Sequence, residues 1–120
     1  MITPEYFMQQ VEDLVCDYEQ VKANTLYAST NKPESVLPRQ IIFYLVRFLY
    51  RGVITLGQIG HRYGKDHATV IHGCRKVQDY CDVDKSFNSK IENYKTLIKE
   101  LYMTNAFYAE ACAEEIHLVN

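Results

Sequence analysis

The thirteen residues Gly64-Lys65-Asp66-His67-Ala68-Thr69-Val70-Ile71-His72-Gly73-Cys74-Arg75-Lys76 hold the groups best suited to recognising another molecule. A glycine turn leads into charged and small polar residues at the start of a helix whose far face, Val70, Cys74 and Val77, is apolar. Side chains in a first helical turn project from the end of the helix, beside backbone N–H groups that favour anions. There His67 offers a ring nitrogen to a base edge, Asp66 an acceptor suited to a cytosine amino group, and Ala68 a methyl that can meet a thymine methyl. Lys65 and Thr69 suit phosphate oxygens, contacts that position a protein on a duplex without reading its sequence. Asp66 also caps the helix, and one carboxylate can do both. This is the chemistry of groove recognition, with no covalent step.

Catalytic and metal chemistry find less support. His61, His67, His72 and Cys74 do not fall on one helical face at ligand spacing. Cys74 has only His72 nearby as a base and fits better as a packed thiol. No G-x-x-x-x-G-K-[ST] loop occurs: Gly60-His61-Arg62-Tyr63-Gly64-Lys65-Asp66 has the wrong spacing and lacks the magnesium-binding hydroxyl. The expectation is a non-enzyme with no cofactor, no metal and no bound nucleotide. The ten tyrosines read as half-buried packing before they read as base-stacking platforms.

An all-α fold of five to six helices must position the reading residues. Thr3-Pro4 starts a first helix, and Phe7, Val11, Leu14, Val15, Tyr18 and Val21 carry it to about Lys22. Ser29 to Ser35 reads as a loop. Pro38 begins the next helix, with Ile41, Ile42, Leu45, Val46 and Leu49 inward, Arg39, Arg47 and Arg51 on its surface, and Gly52 ending it. Thr55 caps a short helix from Leu56 to about Tyr63, in which Gly57 and Gly60 allow a close neighbour. Gly64 breaks it, and Asp66 caps the reading helix through about Tyr80. Two short helices joined by a glycine turn make a helix-turn-helix. Ser86 caps a last helix with Ile91, Tyr94, Leu97, Ile98 and Leu101 inward. Residues 102–118 continue it or start another, and Tyr102, Phe107, Tyr108, Ile116 and Leu118 form either a partner face or packing on the first helix. The organisation expected is one domain over 1–120: helix and loop over 1–37, helix-turn-helix core over 38–85, C-terminal helices over 86–120.

At 120 residues the chain can bury a core unaided, and 48% hydrophobic residues place it among folded globules. No apolar run of 18 residues spans a membrane, no signal peptide follows Met1, and scattered cysteines suit a reducing cytoplasm. The net charge of −2 is unevenly spread. Arg39, Arg47, Arg51, Arg62, Lys65, Arg75 and Lys76 face only Asp66 over residues 39–76, while residues 1–38 and 77–120 are each acidic by four charges. Such segregation can build a positive surface on an acidic protein.

Three elements together, Pro38-Arg39-Gln40-Ile41, Leu56-Gly57-Gln58-Ile59-Gly60 and above all Lys65-Asp66-His67-Ala68-Thr69-Val70-Ile71-His72-Gly73-Cys74-Arg75-Lys76, resemble the C-terminal DNA-binding domain of the bacterial replication initiators of the DnaA family, over roughly residues 20–101. The resemblance implies recognition of short asymmetric duplex sites, the initiator boxes, at replication origins. It sets Asp66, His67 and Ala68 against bases, and Lys65, Thr69, His72, Gln40, Arg47 and the backbone at Leu56 against phosphates. Lys32 is the one basic residue in the preceding loop, which the family makes arginine-rich for the minor groove; Glu34 offsets it. The family also has threonine at Ala68 and two glycines where Gly64 stands alone. Fewer cationic contacts predict weaker binding and a flatter salt dependence. Regulation of replication initiation or transcription is the implied role, without the family's ATPase. The alternative is a protein-interaction module that keeps the fold and engages a partner, such as a replication protein, through its acidic, aromatic terminal helices.

Overall fold

The computed structural model describes residues 3–28 and 32–102, the side chains of Leu101 and Tyr102 excepted. Six helices and no strand occur among them: α1 (Pro4–Glu19), α2 (Ala23–Leu26), α3 (Pro33–Leu49), α4 (Leu56–Arg62), α5 (His67–Val83) and α6 (Lys85–Tyr102). The fold is the expected all-α helix-turn-helix bundle.

Helix α1 begins as its sequence directs, with the Thr3 hydroxyl accepting from the Tyr6 N–H at 3.2 Å and Pro4 in the first turn. It stops earlier than its periodicity suggests. Gln20 takes a left-handed conformation (φ 56°), and its N–H closes on the Cys16 carbonyl. The chain re-enters a helix for the single turn of α2. Tyr18, placed on the inward stripe by spacing, is 53% exposed and packs edge-on against the Tyr94 ring.

Helix α3 is the central element and packs on all five others. It starts at Pro33, not Pro38, so Pro33, Glu34 and Ser35 are helical, and the division drawn at residue 38 between N-terminal loop and helix-turn-helix core falls inside it. A proline in the first turn gives up an N–H that had no partner. Pro38 gives up one bond, to the carbonyl of exposed Glu34, which a helix near its start can tolerate. Ile41, Ile42, Phe43, Leu45 and Val46 are fully or almost fully buried, against Phe7, Val11 and Val15 of α1 and Val70 and Val77 of α5. Arg39 is not on the surface: it is 5% exposed, and its guanidinium donates to the Leu26 and Ala28 carbonyls at 3.1 and 3.3 Å. Leu26 is the last residue of the short α2 and Ala28 lies just past it, so the guanidinium ties the segment after α2 to α3.

A second buried polar centre joins α1 to α4. Glu12 is 2% exposed and accepts from the hydroxyls of Tyr27 (2.6 Å) and Tyr63 (3.0 Å) and from Arg62 (3.3 Å). At the far end of α5, Asp84 rather than Ser86 caps α6, accepting from the Phe87 N–H at 3.1 Å. Ile91, Tyr94 and Ile98 face inward as expected, with Leu97 half-buried; Leu101 and residues 103–120 lie outside what is described. No described helix is long and apolar enough to cross a membrane.

Candidate nucleic-acid interface

Helix α5 is aimed by the turn before it. Thr55 and Gln58 cap α4 reciprocally: the Thr55 hydroxyl accepts from the Gln58 N–H at 3.1 Å, and the Gln58 side chain accepts from the Thr55 N–H at 2.8 Å. At the other end of α4, Gly60 accepts through its carbonyl from the N–H groups of Tyr63 (3.0 Å) and Lys65 (2.8 Å), folding the chain back on itself. A Cβ on Gly60 would lie 2.3 Å from the Lys65 carbonyl oxygen, so the turn closes only over glycine. Gly64 supplies the left-handed residue (φ 67°) that reverses the backbone. Gly57 has only the Thr55 hydroxyl, 3.8 Å away, and permits no comparable approach.

Asp66 then caps α5, accepting from the Thr69 N–H at 2.9 Å. That bond, helped by the Thr69 side chain, holds its carboxyl below the usual range. The carboxylate stays charged and exposed at the helix tip. His67, Ala68, Thr69 and His72 are exposed as well, so the imidazole proposed to read bases is open to solvent. Behind them Val70, Gly73 and Val77 anchor α5 on α3. A Cβ on Gly73 would stand 2.9 Å from the Phe43 ring and 3.1 Å from Gln40 Cγ, so its missing side chain sets how closely the two helices pack. Neither the spacing of apolar residues nor the turn chemistry pointed to this role for Gly73.

Four of the residues assigned to phosphate come together. Gln40, Lys65, Thr69 and His72 line one groove between α3 and α5, with Val36, Phe43 and the edge of the buried Arg39. Leu56 is the first residue of α4, where first-turn N–H groups lack intrahelical partners. Lys32 is exposed at the start of α3. Arg47 is elsewhere: it lines a separate cleft with Tyr44, Arg51, Cys74 and Arg75. The basic segment is also less available than its count suggests, because Arg39 is buried and Arg62 is spent on Glu12. Arg47, Arg51, Lys65, Arg75 and Lys76 remain at or near the surface.

The Glu12 centre was missed in the sequence. It fixes Arg62 and Tyr63, the two residues directly before Gly64, to α1. A signal existed: Glu12 follows Met8 by four residues, on the same stripe as the buried Phe7, Val11 and Val15. A carboxylate on a buried stripe requires partners.

Residues 8–77 match the family model described as the bacterial dnaA protein helix-turn-helix. The chromosomal replication initiator protein DnaA of Bacteroides fragilis is 33% identical over 99 residues, covering 82% of this chain and 20% of that protein. That of Oenococcus oeni is 36% identical over 94 residues (78% and 20%), and that of Thermus thermophilus 42% over 72 (59% and 16%). The chain thus spans about a fifth of the length of the curated relatives it matches.

Proposed function

The chain belongs to the bacterial DnaA helix-turn-helix family, and we propose that it binds double-stranded DNA sequence-specifically through α5, at origin sites of the initiator-box kind. The whole of residues 1–120 acts as one such binding domain, without catalysis or bound nucleotide. The observation that carries the reading is the open, capped tip of α5: Asp66, His67 and Ala68 exposed ahead of a groove that gathers Gln40, Lys65, Thr69 and His72. Asp66, His67 and Ala68 face base edges in the major groove, where donors, acceptors and the thymine methyl differ from pair to pair. Lys65, Thr69, His72, Gln40, Arg47, Lys32 and the N–H groups at Leu56 hold phosphate oxygens. By occupying such sites the protein regulates replication initiation or nearby transcription.

Only Lys65, Arg47 and Lys32 in that set are cationic, which limits the charge neutralised on DNA. At about 0.9 per phosphate, three such contacts give a log–log salt slope near about −3. Fluorescence anisotropy on box-like and scrambled duplexes across a salt series tests the reading. Tighter binding to the box, with a shallow slope, is the expected result. Equal affinity for both duplexes at every salt concentration would refute sequence reading and leave the interaction-module alternative.

A further inference from the structure

Behind the reading groove, on the other side of the seam that Val70, Gly73 and Val77 make with α3, lies a second recess that the DNA reading does not account for. It is a cleft of about 260 Å³ lined by Tyr44, Arg47, Phe48, Arg51, Cys74 and Arg75. That is smaller than the ~300–1,000 Å³ of small-molecule sites and suits inserted side chains. Its aromatic part is open: Phe48 is 39% exposed and lies nearly parallel to Tyr44, ring centroids 6.1 Å apart. Lys95 of α6 covers the Phe48 ring with its ammonium 3.9 Å from the centroid and is already paired with Glu92 at 3.2 Å. The three arginines are not so matched. The ion pairs among the described residues join Arg62 to Glu12, Lys90 to Glu19 and Lys95 to Glu92, and none includes Arg47, Arg51 or Arg75. Among the described residues, three cations and two aromatic rings thus share one cleft with no carboxylate in its lining.

The chain itself carries the complement. Residues 103–120 contain Glu110, Glu114 and Glu115 and no lysine or arginine, with Phe107 and Tyr108 just before the acids. We propose that residues 107–116 dock in this cleft, their three carboxylates on Arg47, Arg51 and Arg75 and Phe107 and Tyr108 against Tyr44 and Phe48. The reach is available. Helix α6 meets the aromatic edge of the cleft at Lys95 and ends seven residues later at Tyr102, about 10 Å further along its axis. The eight residues from Tyr102 to Glu110 can span at most about 27 Å, enough to return. Covalent attachment presents the segment at roughly millimolar effective concentration, so even weak ion pairs hold it there without any second partner. Single-stranded nucleic acid also combines anionic groups with flat rings, but nothing tethers it to this site. Arg47 belongs to both the cleft and the phosphate set above. That consequence alone rests on the DNA reading: a docked segment and a duplex compete for this guanidinium.

The test needs no DNA. In the full chain with Cys16, Cys74 and Cys81 changed to alanine, a nitroxide on Cys112 is read by amide NMR. Residues 44, 47, 48, 51 and 75 should lose most of their signal intensity. Arg51→Glu with Arg75→Glu should restore it, and adding Glu114→Lys and Glu115→Lys to that variant should bring the loss back. Should the cysteine-free background fold poorly, the unlabelled wild type is compared with Glu110→Lys/Glu114→Lys/Glu115→Lys; amide shifts should change at the same cleft residues. Loss of intensity spread evenly over the surface, or centred on the tip of α5, overturns the proposal. So does an oligothymidylate that shifts the cleft resonances while the label broadens none of them, which would assign the cleft to single strands.

Discussion

Gly60→Ala probes most directly how the structure aims α5. The new Cβ would sit 2.3 Å from the Lys65 carbonyl oxygen, where ordinary contact begins near 3.4 Å, so the turn must open by about 1 Å. The obstacle is backbone and cannot rotate away as a side chain would. Overpacking of this kind costs about 1–3 kcal/mol. The Lys65 N–H to Gly60 carbonyl bond, 2.8 Å in the native turn, is strained at the same time, for about 1 kcal/mol more. Against this stands a gain of about 1 kcal/mol from alanine in a helix. The net expectation is a loss of about 1–3 kcal/mol in urea unfolding with an unchanged m-value. Duplex affinity should fall as well, because Asp66 and His67 follow the displaced turn directly. Gly57→Ala is the internal control. It adds the same methyl three residues earlier with nothing closer than 3.8 Å, and should stabilise by about 0.5–1 kcal/mol. A Gly60→Ala protein as stable as wild type, or a Gly57→Ala protein equally damaged, would refute the argument that the turn closes on glycine.

His67→Ala should cost about 1–3 kcal/mol on the preferred duplex and relax discrimination at one base pair, whereas Lys65→Ala should weaken all sequences alike and lower the salt slope by about 1; anisotropy on a panel of single-base variants separates the two. Glu12→Ala leaves Arg62, whose side chain is 14% exposed, without its carboxylate and two tyrosine hydroxyls without an acceptor, and should destabilise the fold by about 3–5 kcal/mol in urea unfolding. A loss below about 1 kcal/mol would mean the network is solvated and weak. Alkaline pH attacks the same centre: burial and Glu12 push the Tyr27 phenol up to about 12 and Tyr63 higher still, while burial and Glu19 raise Tyr94. Folded values above the unfolded value of 10 mean that this stability is complete below about pH 10 and is lost as pH rises towards 12. Unfolding followed by circular dichroism and by tyrosinate absorbance should therefore begin together in that window, and ionisation of all ten tyrosines with the helices intact would contradict it.

The capped tip of α5 and the turn before it were legible because their determinants are local. A cap such as Asp66 and a left-handed glycine such as Gly64 work through neighbours three residues away, so their types and spacing suffice. The start of α3 was misread for a related reason. Pro33 and Pro38 are both competent helix starters, and deciding between them depends on whether a helix can forgo one bond to an exposed carbonyl near its N-terminus. Arg39 and Glu12 were illegible in a different way. Each is a charged residue that pattern reasoning sends to solvent, and each is held inside by groups far along the chain, the Leu26 carbonyl for Arg39 and Tyr27, Arg62 and Tyr63 for Glu12. Gly73 escaped notice because an absent side chain has no hydropathy; its meaning comes from Phe43, thirty residues away.

These long-range contacts change what the charge pattern means. Counted along the chain, residues 39–76 form one basic block. In three dimensions the block divides by task. Arg39 seals α2 to α3, Arg62 locks the helix-turn-helix to α1, Lys65 joins the groove between α3 and α5, and Arg47, Arg51 and Arg75 collect behind it. A domain that used all seven cations on phosphate would bind strongly and with steep salt dependence whatever the base sequence. Spending two of them on its own architecture lowers that non-selective part of the affinity. On the proposed function, discrimination then falls on Asp66, His67 and Ala68, the residues set against base edges, whose contacts would depend on the base pair they meet.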